Sequence, residues 1–397
     1  MAFVIHTSAI IAASVVFGLS VFLALEIAAA LLPAGVSKCK RRKPGPVAVI
    51  IPAHNESKII GATLESVKAQ LRANDKMLVV ADNCTDATAA IAKDHGAEVM
   101  ERTDTVRRGK GYALQFALDA MKAAPPEIVV FIDADCILAD NMLARICALA
   151  AGENRPVQAL YLMKAPVNAS PRLQVAAFAW LFINQVRMLG LQRLFDVTRF
   201  TGAGLALPWQ AVSTLNLASG EIVEDLALTF ELTKNGYPPL LASDALITSE
   251  FPQAEEALVK QSARWSIGSL AYAARSGFSW LGKGIVQGRP QLIGAAIDLM
   301  APPLTVFLLC IICVMMISGV SWAFGSSTAI ILSSMALVLT GAGVATGWAR
   351  YGRNILPVAA FAGVFHFALS KLSVFGSQGR KSAKVWTPTR SENHDDA

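Results

Sequence analysis

Two aspartates, Asp133 and Asp135, stand one residue apart after an apolar run from Ile128 to Ile132. Five β-prone residues in succession predict a strand buried on both faces, so both carboxylates follow its carboxyl end, where open α/β sheets bind ligands. Two carboxylates held close together favour a cation between them, and Mg²⁺ or Mn²⁺ bridging to phosphate oxygens is the usual one. A solvated turn after a strand explains the pair equally well when the pair is taken alone.

The residues around this pair predict the elements that position it. Short β-branched runs alternate with helical spacing, which predicts βαβ units and an α/β fold with a mainly parallel sheet. The other predicted strands are Val47 to Ile51, Met77 to Ala81 and Ala97 to Met100, and the predicted helices are Lys58 to Leu71, Ala87 to His95 and Gly109 to Ala123.

Polar residues also follow the first two strands, as Pro52 to Ser57 and as Asp82 to Asp86. A helix cap explains the first group and an Asx-turn the second, each with about even odds when taken alone. Three carboxylate-bearing strand ends on one edge of a sheet together favour a ligand site. The basic and glycine residues of Arg107 to Gly111 suit a diphosphate, although an exposed loop fits them equally.

Composition places part of the chain in a membrane. Of its 397 residues, 54% are hydrophobic and 16% are charged, whereas soluble proteins have about 25% charged residues. The net charge of +6 comes from basic residues beside the apolar segments, which indicates membrane topology rather than nucleic-acid binding. The six cysteines have no metal-ligand spacing apart from Cys310-x-x-Cys313, so we interpret them as small core residues in a reducing compartment.

Three apolar segments are long enough to cross a bilayer core of about 30 Å. Ser8 to Leu32 is interrupted only by Glu26, whereas Leu299 to Val320 and Ser327 to Trp348 carry no charge. Basic residues follow the first segment, which predicts that its carboxyl end faces the cytoplasm. These residues are Lys38, Lys40, Arg41, Arg42 and Lys43.

Other apolar stretches are expected to lie at the membrane surface or in the core. Leu173 to Phe195 contains Gln185 and Arg187, which favour an interfacial or core helix over a span. Leu258, Trp265 and Tyr272 share one helical face, as in a helix along the membrane or in a soluble amphipathic helix.

The end of the chain allows more than one topology. Basic residues flank Ile355 to Ser370 on both sides, which favours an interfacial or re-entrant helix, although a fourth span stays open. Trp386 to Arg390 then returns to the cytoplasmic side, and Ser391 to Ala397 is expected to be disordered.

Seven motifs stand in a fixed order along the chain: VIIPAHNES, VVADNCTDAT, RRGKGYAL, FIDADC, RFTGAGLALPW, EIVEDLALTFEL and QSARW. From about Val47 to Trp265 this order resembles the family 2 glycosyltransferases of the inverting GT-A fold. It is most similar to their membrane-embedded branch, which includes cellulose, chitin oligosaccharide and hyaluronan synthases and ceramide glucosyltransferase. The resemblance implies a GT-A domain (46–253) after a span and basic linker (1–45), followed by interfacial helices (254–290), two spans (291–349) and an interfacial or re-entrant segment with a tail (350–397).

The resemblance also implies roles for individual residues. Asp225, beside Glu224, would be the general base, and Asp133 and Asp135 would hold the metal and the diphosphate, with Asp135 the more direct ligand. Nucleobase and ribose would be bound by Ala53, Glu56 and Asp82. Lys110 would bind the donor. Gln261, Arg264 and Trp265 would bind the donor diphosphate and the acceptor sugar, and Thr201 and Gly202 would also contact the acceptor. The loop Phe200 to Gly204 lacks the cysteine often found there in processive synthases, which leaves processivity open.

These roles fit the chemistry of an inverting transfer, which needs a base for the acceptor hydroxyl and positive groups for the leaving diphosphate. The expected function is metal-dependent transfer from a nucleotide sugar, a UDP-sugar by resemblance, to a lipid-linked or growing glycan. The expected setting is bacterial extracellular polysaccharide synthesis at the inner membrane, with a cytoplasmic catalytic domain, possible export or assembly proteins and no nucleic acid. The alternatives are a processive synthase and a non-catalytic nucleotide-binding scaffold or transporter subunit; a transporter would need more spans and more ionisable residues within them.

Overall fold

A computed structural model describes residues 2–33, 39–166, 168–218, 223–252, 255–364 and 367. Lys38 of the basic cluster lies outside the described residues. The predicted cytoplasmic tail and its disordered end, from Lys371 onwards, lie outside them as well.

An eight-stranded mixed sheet organises the chain between the apolar ends. Its strands are β1 (Val47–Ala53), β2 (Lys76–Asp82), β3 (Glu98–Arg102), β4 (Ile128–Phe131), β5 (Ile137–Leu138), β6 (Val157–Lys164), β7 (Leu205–Pro208) and β8 (Leu240–Glu250). Their order is β3-β2-β1-β4-β7-β6-β8-β5, with β1 to β4 parallel and with β7 and β5 antiparallel to their neighbours. The four predicted strands are confirmed, whereas β5 to β8 are not among the predictions.

Thirteen α-helices lie within the described residues. They are α1 (Ala2–Leu31), α2 (Ile60–Lys68), α3 (Thr88–Asp94), α4 (Lys110–Met121), α5 (Met142–Glu153), α6 (Pro171–Leu181), α7 (Met188–Phe195), α8 (Trp209–Val212), α9 (Glu224–Lys234), α10 (Glu255–Val286), α11 (Pro290–Met300), α12 (Leu304–Ala323) and α13 (Thr328–Gly347). Helices α2, α3 and α4 confirm the three predicted helices, with each end shorter by one to three residues.

The strand that precedes the two aspartates is buried on both faces, as its unbroken apolar run predicts. One face of the sheet packs Val130 against α2 and α5. The other face packs Val129 and Phe131 against α4, α8 and α9. Burial on both sides fixes the register of β4 and therefore fixes where Asp133 and Asp135 emerge.

Three helices are long and apolar enough to cross a membrane: Phe3–Leu31, Leu304–Ala323 and Thr328–Gly352. They match the three predicted segments, but the second begins at Leu304 rather than Leu299. Pro302 and Pro303 separate it from α11, because proline cannot continue a helix from the preceding turn. Helix α1 packs against α13, with the hydroxyls of Ser20 and Thr340 3.0 Å apart.

The cysteine prediction is wrong in part. No disulfide joins any of the six cysteines, and Cys136 and Cys147 are buried, but Cys310 and Cys313 are exposed. Both exposed thiols lie on α12, whose apolar outer surface needs no protein neighbour if it faces lipid.

The segment Leu173 to Phe195 is a core helix rather than a span. It forms α6, a π-helical turn (Phe182–Arg187) and α7. Ala177 packs into the sheet's core, whereas Phe178 and Phe182 pack with Leu23 and Ile27 of α1. The segment therefore joins the sheet to the first apolar helix.

Two predicted apolar stretches remain: the helical face on α10 and the segment Ile355 to Ser370. On α10, Leu258 and Trp265 pack against the core around β6, and Tyr272 packs with Phe230 of α9. Only the first part of Ile355 to Ser370 is described, as a short 3-10 helix (Val358–Phe361) and the following residues up to 364, together with Phe367.

Candidate active site

The loops after β1 and β2 are tied to each other. Asn55 and Asn83 have φ of 54° each, a left-handed conformation that asparagine tolerates better than most residues. Asn55 Oδ1 accepts the backbone N–H of Thr85 at 2.8 Å. Asn55 and Ser57 are not helix caps, since α2 follows Ile59, which makes no side-chain cap. The first loop is thus held in place beside the second.

Asp82 ends β2 and is paired with an arginine that the sequence analysis does not single out. Arg102 Nη1 donates to Asp82 Oδ1 at 2.5 Å, and Asn83 Nδ2 donates to the same oxygen at 3.0 Å. Burial raises the pKa of Asp82 although Arg102 opposes the effect. Arg102 is the last residue of β3, paired with Asp82 in the sheet, so its place could have been found from the parallel strand order.

Two further predicted donor residues lie at the end of β1. Ala53 is the last residue of the strand and is buried. Glu56 donates its backbone N–H to Thr88 Oγ1 at 2.8 Å, and its carbonyl oxygen accepts from Ile60 at 2.9 Å. Ala53, Glu56 and Asp82 therefore line adjacent strand ends.

Asp133 and Asp135 follow β4 with half-buried side chains. Ligand atoms of these two residues and of Cys136 all lie within 4.8 Å of one another. Burial raises the pKa of the Cys136 thiol well above its usual value, so the thiol stays neutral. The usable ligands are then the carboxylate oxygens, and Mg²⁺ and Mn²⁺ prefer oxygen ligands.

Lys110, the first residue of α4, connects this pair to the neighbouring loop. Its ammonium pairs with Asp133 Oδ1 and donates to the carbonyl oxygen of Gly202 at 2.8 Å. A positive group is thereby fixed beside Asp133, on the edge where the strand ends of β1, β2 and β4 meet.

The loop Phe200 to Gly204 is fixed from both sides. Buried Gln158 accepts the N–H of Thr201 at 2.9 Å and donates to the carbonyl of Ala203 at 2.8 Å. Gly204 has φ of +74°, and a Cβ there would lie 2.9 Å from the Ala159 side chain, so only glycine fits. Strand β6 therefore holds this loop through Gln158 and Ala159.

Glu224 and Asp225 begin α9, half-buried, beside the positive groups of Lys110 and Arg264. Burial raises the pKa of Glu224 to about 7, and Lys110 partly opposes this while Asp225 and Asp133 add to it. Burial also raises the pKa of Asp225, whose Oδ1 accepts the Leu226 N–H at 3.0 Å. The pKa of Arg264 is lowered by burial, and Glu224, Asp133 and Asp225 oppose that change. Acidic residues are common at helix N-termini because they complement the helix dipole. The dipole does not explain why these two carboxyl groups lie beside Lys110 and Arg264.

Two cavities meet at Asp225. One, of about 430 Å³, lies between α4 and α9 and is lined by Lys110, Gly202 and Glu224 as well as Asp225. The other, of about 240 Å³, reaches from Asp225 past α6 and α10 to Pro303 and Leu304 at the start of α12. The second cavity therefore joins the charge cluster to a helix that could cross a membrane.

Aromatic side chains form one wall of this second cavity. Trp180 and Trp265 have ring centroids 4.7 Å apart, and Trp180 meets Tyr161 edge-on at 5.6 Å. In the part of the chain that the structure describes, Thr201 Oγ1 and Gln261 Oε1 are buried atoms without a hydrogen-bond partner, and both residues line the cavity. Gln261, which the resemblance gives to the donor, lies on the wall of this second cavity.

The fold and these strand ends define an α/β protein of the GT-A type. A mannosyltransferase from Pyrobaculum calidifontis, solved in complex with GDP-Man and Mn²⁺, aligns with 94% of this chain and 100% of its own at a TM-score of 0.57 and 20% identity. That likeness shows the fold.

Residues 44–268, more than half of the chain, match the family described as glycosyltransferase like family 2. The chain belongs to this family. An uncharacterised glycosyltransferase of Mycobacterium bovis is 34% identical over 122 residues, 29% of this chain and 51% of the relative. The 4,4'-diaponeurosporenoate glycosyltransferase of Staphylococcus aureus is 38% identical over 88 residues, 22% of this chain and 23% of its own. The chain thus spans about half the length of the first curated relative, and less of the second.

Proposed function

We propose that this chain transfers a sugar, with inversion, from a nucleotide sugar to an acceptor presented at a membrane surface. The observation that carries the proposal is the position of Asp225. It lies between a cavity beside Lys110 and a cavity that reaches α12. A base placed there faces the donor on one side and the acceptor on the other.

The donor is assigned to the edge formed by the ends of β1, β2 and β4. Ala53, Glu56 and Asp82 would bind the nucleoside, a uridine by the resemblance, while Lys110 and Arg264 would face the diphosphate. Asp135, with Asp133, would hold a divalent cation, since their oxygens form a hard ligand set. When bound, that cation would neutralise charge on the departing diphosphate.

Asp225 is assigned as the general base. Its carboxylate takes the proton of the acceptor hydroxyl while that oxygen forms a bond to the anomeric carbon of the donor. The bond from the anomeric carbon to the diphosphate breaks, and the nucleoside diphosphate leaves with the electron pair. A single displacement of this kind inverts the anomeric centre and needs no protein nucleophile.

The acceptor is assigned to the cavity between α6, α10 and α12. The rings of Trp180 and Trp265, tilted by 35° to each other, offer apolar surfaces of the kind that sugar rings and lipid chains cover. We infer a lipid-linked or growing glycan as acceptor, with Thr201, Gly202 and Trp265 beside it. The role in bacterial extracellular polysaccharide synthesis, with export or assembly partners, belongs to the same proposal.

Topology is part of the proposal. The described basic residues Lys40 to Lys43 lie between α1 and β1 in the sequence, which favours a cytoplasmic sheet domain at the inner membrane. Helices α1, α12 and α13 would then cross the bilayer, and α10 would lie along its surface.

Release of nucleoside diphosphate from a panel of nucleotide sugars tests the function, with purified protein, Mn²⁺ and a membrane lipid extract as acceptor source. We expect one donor to be consumed and a lipid-extractable glycosylated product to form. Asp225→Asn serves as the inactive control. If no donor is consumed by a protein that binds nucleotides, the scaffold alternative replaces the enzyme.

A further inference from the structure

Four ionisable side chains, three of them buried, form a connected network between α1 and the acceptor cavity. Glu26 Oε2 accepts from Arg187 Nε at 3.1 Å, and Arg187 Nη2 donates to Asp298 Oδ1 at 2.5 Å. Arg199 Nη1 donates to Asp298 Oδ2 at 3.1 Å. These residues come from α1, the π-helical turn, α11 and the segment after α7, so one network joins four parts of the chain.

Stability alone gives no reason for this network. Glu26 is 0% exposed and Arg187 4% exposed, and apolar residues of similar volume can often replace a buried ion pair without loss of stability. An ionisable residue inside an apolar helix is by default a candidate for function, together with its partner. The π-helical turn that carries Arg187 also favours a functional role, since such turns occur often at functional sites.

The network ends in the cavity. Arg187 and Arg199 line it together with Asp225, and Asp298 holds one guanidinium on each carboxylate oxygen. Thr201 Oγ1 and Gln261 Oε1, both on the same cavity wall, are the buried polar atoms without a partner noted above for the described residues. A buried hydroxyl and a buried amide oxygen without partners cost free energy until a ligand satisfies them.

We propose that Arg199, held by Asp298, binds the oxygen-bearing head group of a lipid-anchored acceptor beside Asp225, and that Glu26 and Arg187 fix this arrangement to α1. The inference rests on the proposed function and names residues and a head-group chemistry for its acceptor site. Arg199 donates to a head-group oxygen, Thr201 donates to a second oxygen, and Gln261 Oε1 accepts from a hydroxyl.

The hydrogen-bonding groups on the cavity wall select the kind of head group. Gln261 Oε1 can only accept a hydrogen bond, so the head group must carry a hydroxyl, and Asp298 already pairs with the guanidinium of Arg199. The head group is therefore a neutral alcohol or sugar. The chain attached to it would follow the apolar cavity towards Leu304.

Two double variants with unchanged net charge separate the two ends of the network. Arg199→Gln with Asp298→Asn removes the pair at the cavity and leaves Arg187 paired with Glu26, whereas Glu26→Gln with Arg187→Gln removes the pair at α1. Arg193→Gln is the matched control, because Arg193 Nη1 also binds α1, at the carbonyls of Ala29 and Ala30, 2.7 and 3.0 Å away. Arg193 does not line the cavity.

The probes are n-octyl β-D-glucoside below its micellar concentration and decyl phosphate, added to the full chain in lipid nanodiscs. Binding is read from tryptophan fluorescence, since Trp180 and Trp265 line the cavity, and donor turnover is read separately. We expect the Arg199/Asp298 variant to weaken octyl glucoside binding by roughly tenfold or more, the loss of one hydrogen bond to a charged group. Its KM for the donor should stay within about twofold of the wild-type value.

The expected order of octyl glucoside affinity is Arg193→Gln equal to wild type, then the Glu26/Arg187 variant, then the Arg199/Asp298 variant. Unchanged affinity in a folded Arg199/Asp298 variant overturns the inference, and so does absence of octyl glucoside binding by the wild type. Tighter binding of decyl phosphate overturns the neutral head group. If one of these outcomes is found and the wild type still consumes the donor, only the acceptor-site inference fails. If the wild type consumes no donor, the proposed function itself fails.

Discussion

The donor edge and the acceptor cavity are built in different ways from the same chain. Residues 53 to 135 supply most of the donor edge, where the carboxyl ends of the mutually parallel strands β1, β2 and β4 meet. The acceptor cavity takes its walls from α6, α10 and the start of α12, which are separated by long stretches of sequence. The donor edge is thus a local product of strand ends, while the cavity exists only after the apolar helices have packed.

Asp225 belongs to both regions, so its replacement should have the largest effect. Asp225→Asn should lower turnover by about 10² to 10⁴-fold, because the variant keeps the shape but loses the base. The KM for the donor should hardly change, since the carboxylate acts on the acceptor hydroxyl. Steady-state kinetics check this, with Asp119→Asn, on the exposed side of α4, as the control. A donor KM that rises as much as turnover falls would move Asp225 to the donor edge.

Replacement of Asp135 should affect the donor edge and leave the acceptor cavity unchanged. Asp135→Asn should lower turnover by at least about 10²-fold in the presence of Mn²⁺, because an amide is a poorer ligand than a carboxylate. Octyl glucoside binding should stay unchanged, since Asp135 does not line the acceptor cavity. Asp140→Asn, at an exposed position outside both cavities, is the control. Near-normal turnover of Asp135→Asn in EDTA would contradict a metal at this edge.

The sequence predicts these two regions unequally, for a physical reason. A run such as Ile128 to Ile132 encodes its own burial, and the carboxyl ends of parallel strands must share an edge, so Asp82, Asp133 and Asp135 could be brought together in advance. Arg199 and Asp298 carry no such local signal, because their pairing depends on how α7 and α11 pack. The short strand β5 and the bulged pairing of β6 with β8 also lack the uninterrupted apolar pattern of β4.

Helix packing behind the cavity can be broken without touching the donor edge. A Cβ on Gly190 of α7 would lie 2.0 Å from the carbonyl oxygen of Glu26, so Gly190→Ala should push α1 away. We expect a loss of about 1 to 3 kcal/mol in stability and weaker octyl glucoside binding, with unchanged nucleotide affinity. Gly341→Ala on α13, with nothing within 4 Å, is the control. Melting temperature and both affinities check the prediction, and equal weakening of nucleotide binding would show that the two regions are not independent.

The smallest expected effect is a pH dependence at the boundary between the regions. Glu224 has an ordinary pKa of 4.5 that burial raises to about 7 in the folded protein. The folded chain therefore keeps a proton that the unfolded chain releases, so this residue's contribution to stability falls as pH rises from 4.5 to 7 and levels off above 7. Since solvent still reaches the half-buried carboxyl group, we expect a loss of about 1 kcal/mol across this window rather than the full value of the shift.

Glu224→Gln removes this titration and should flatten the pH dependence of the melting temperature between pH 5 and 7.5, measured in EDTA so that no cation alters the charge of the cluster. Asp82 and Asp225 also have raised pKa values, so the difference between wild type and variant, rather than either curve, isolates Glu224. Glu231→Gln on the same helix, with a side chain 45% exposed, should keep the wild-type slope. If the melting temperature of Glu224→Gln depends on pH as steeply as that of the wild type, Glu224 is already ionised below pH 5. Solvent must then reach the Glu224 carboxyl group more freely than its burial indicates.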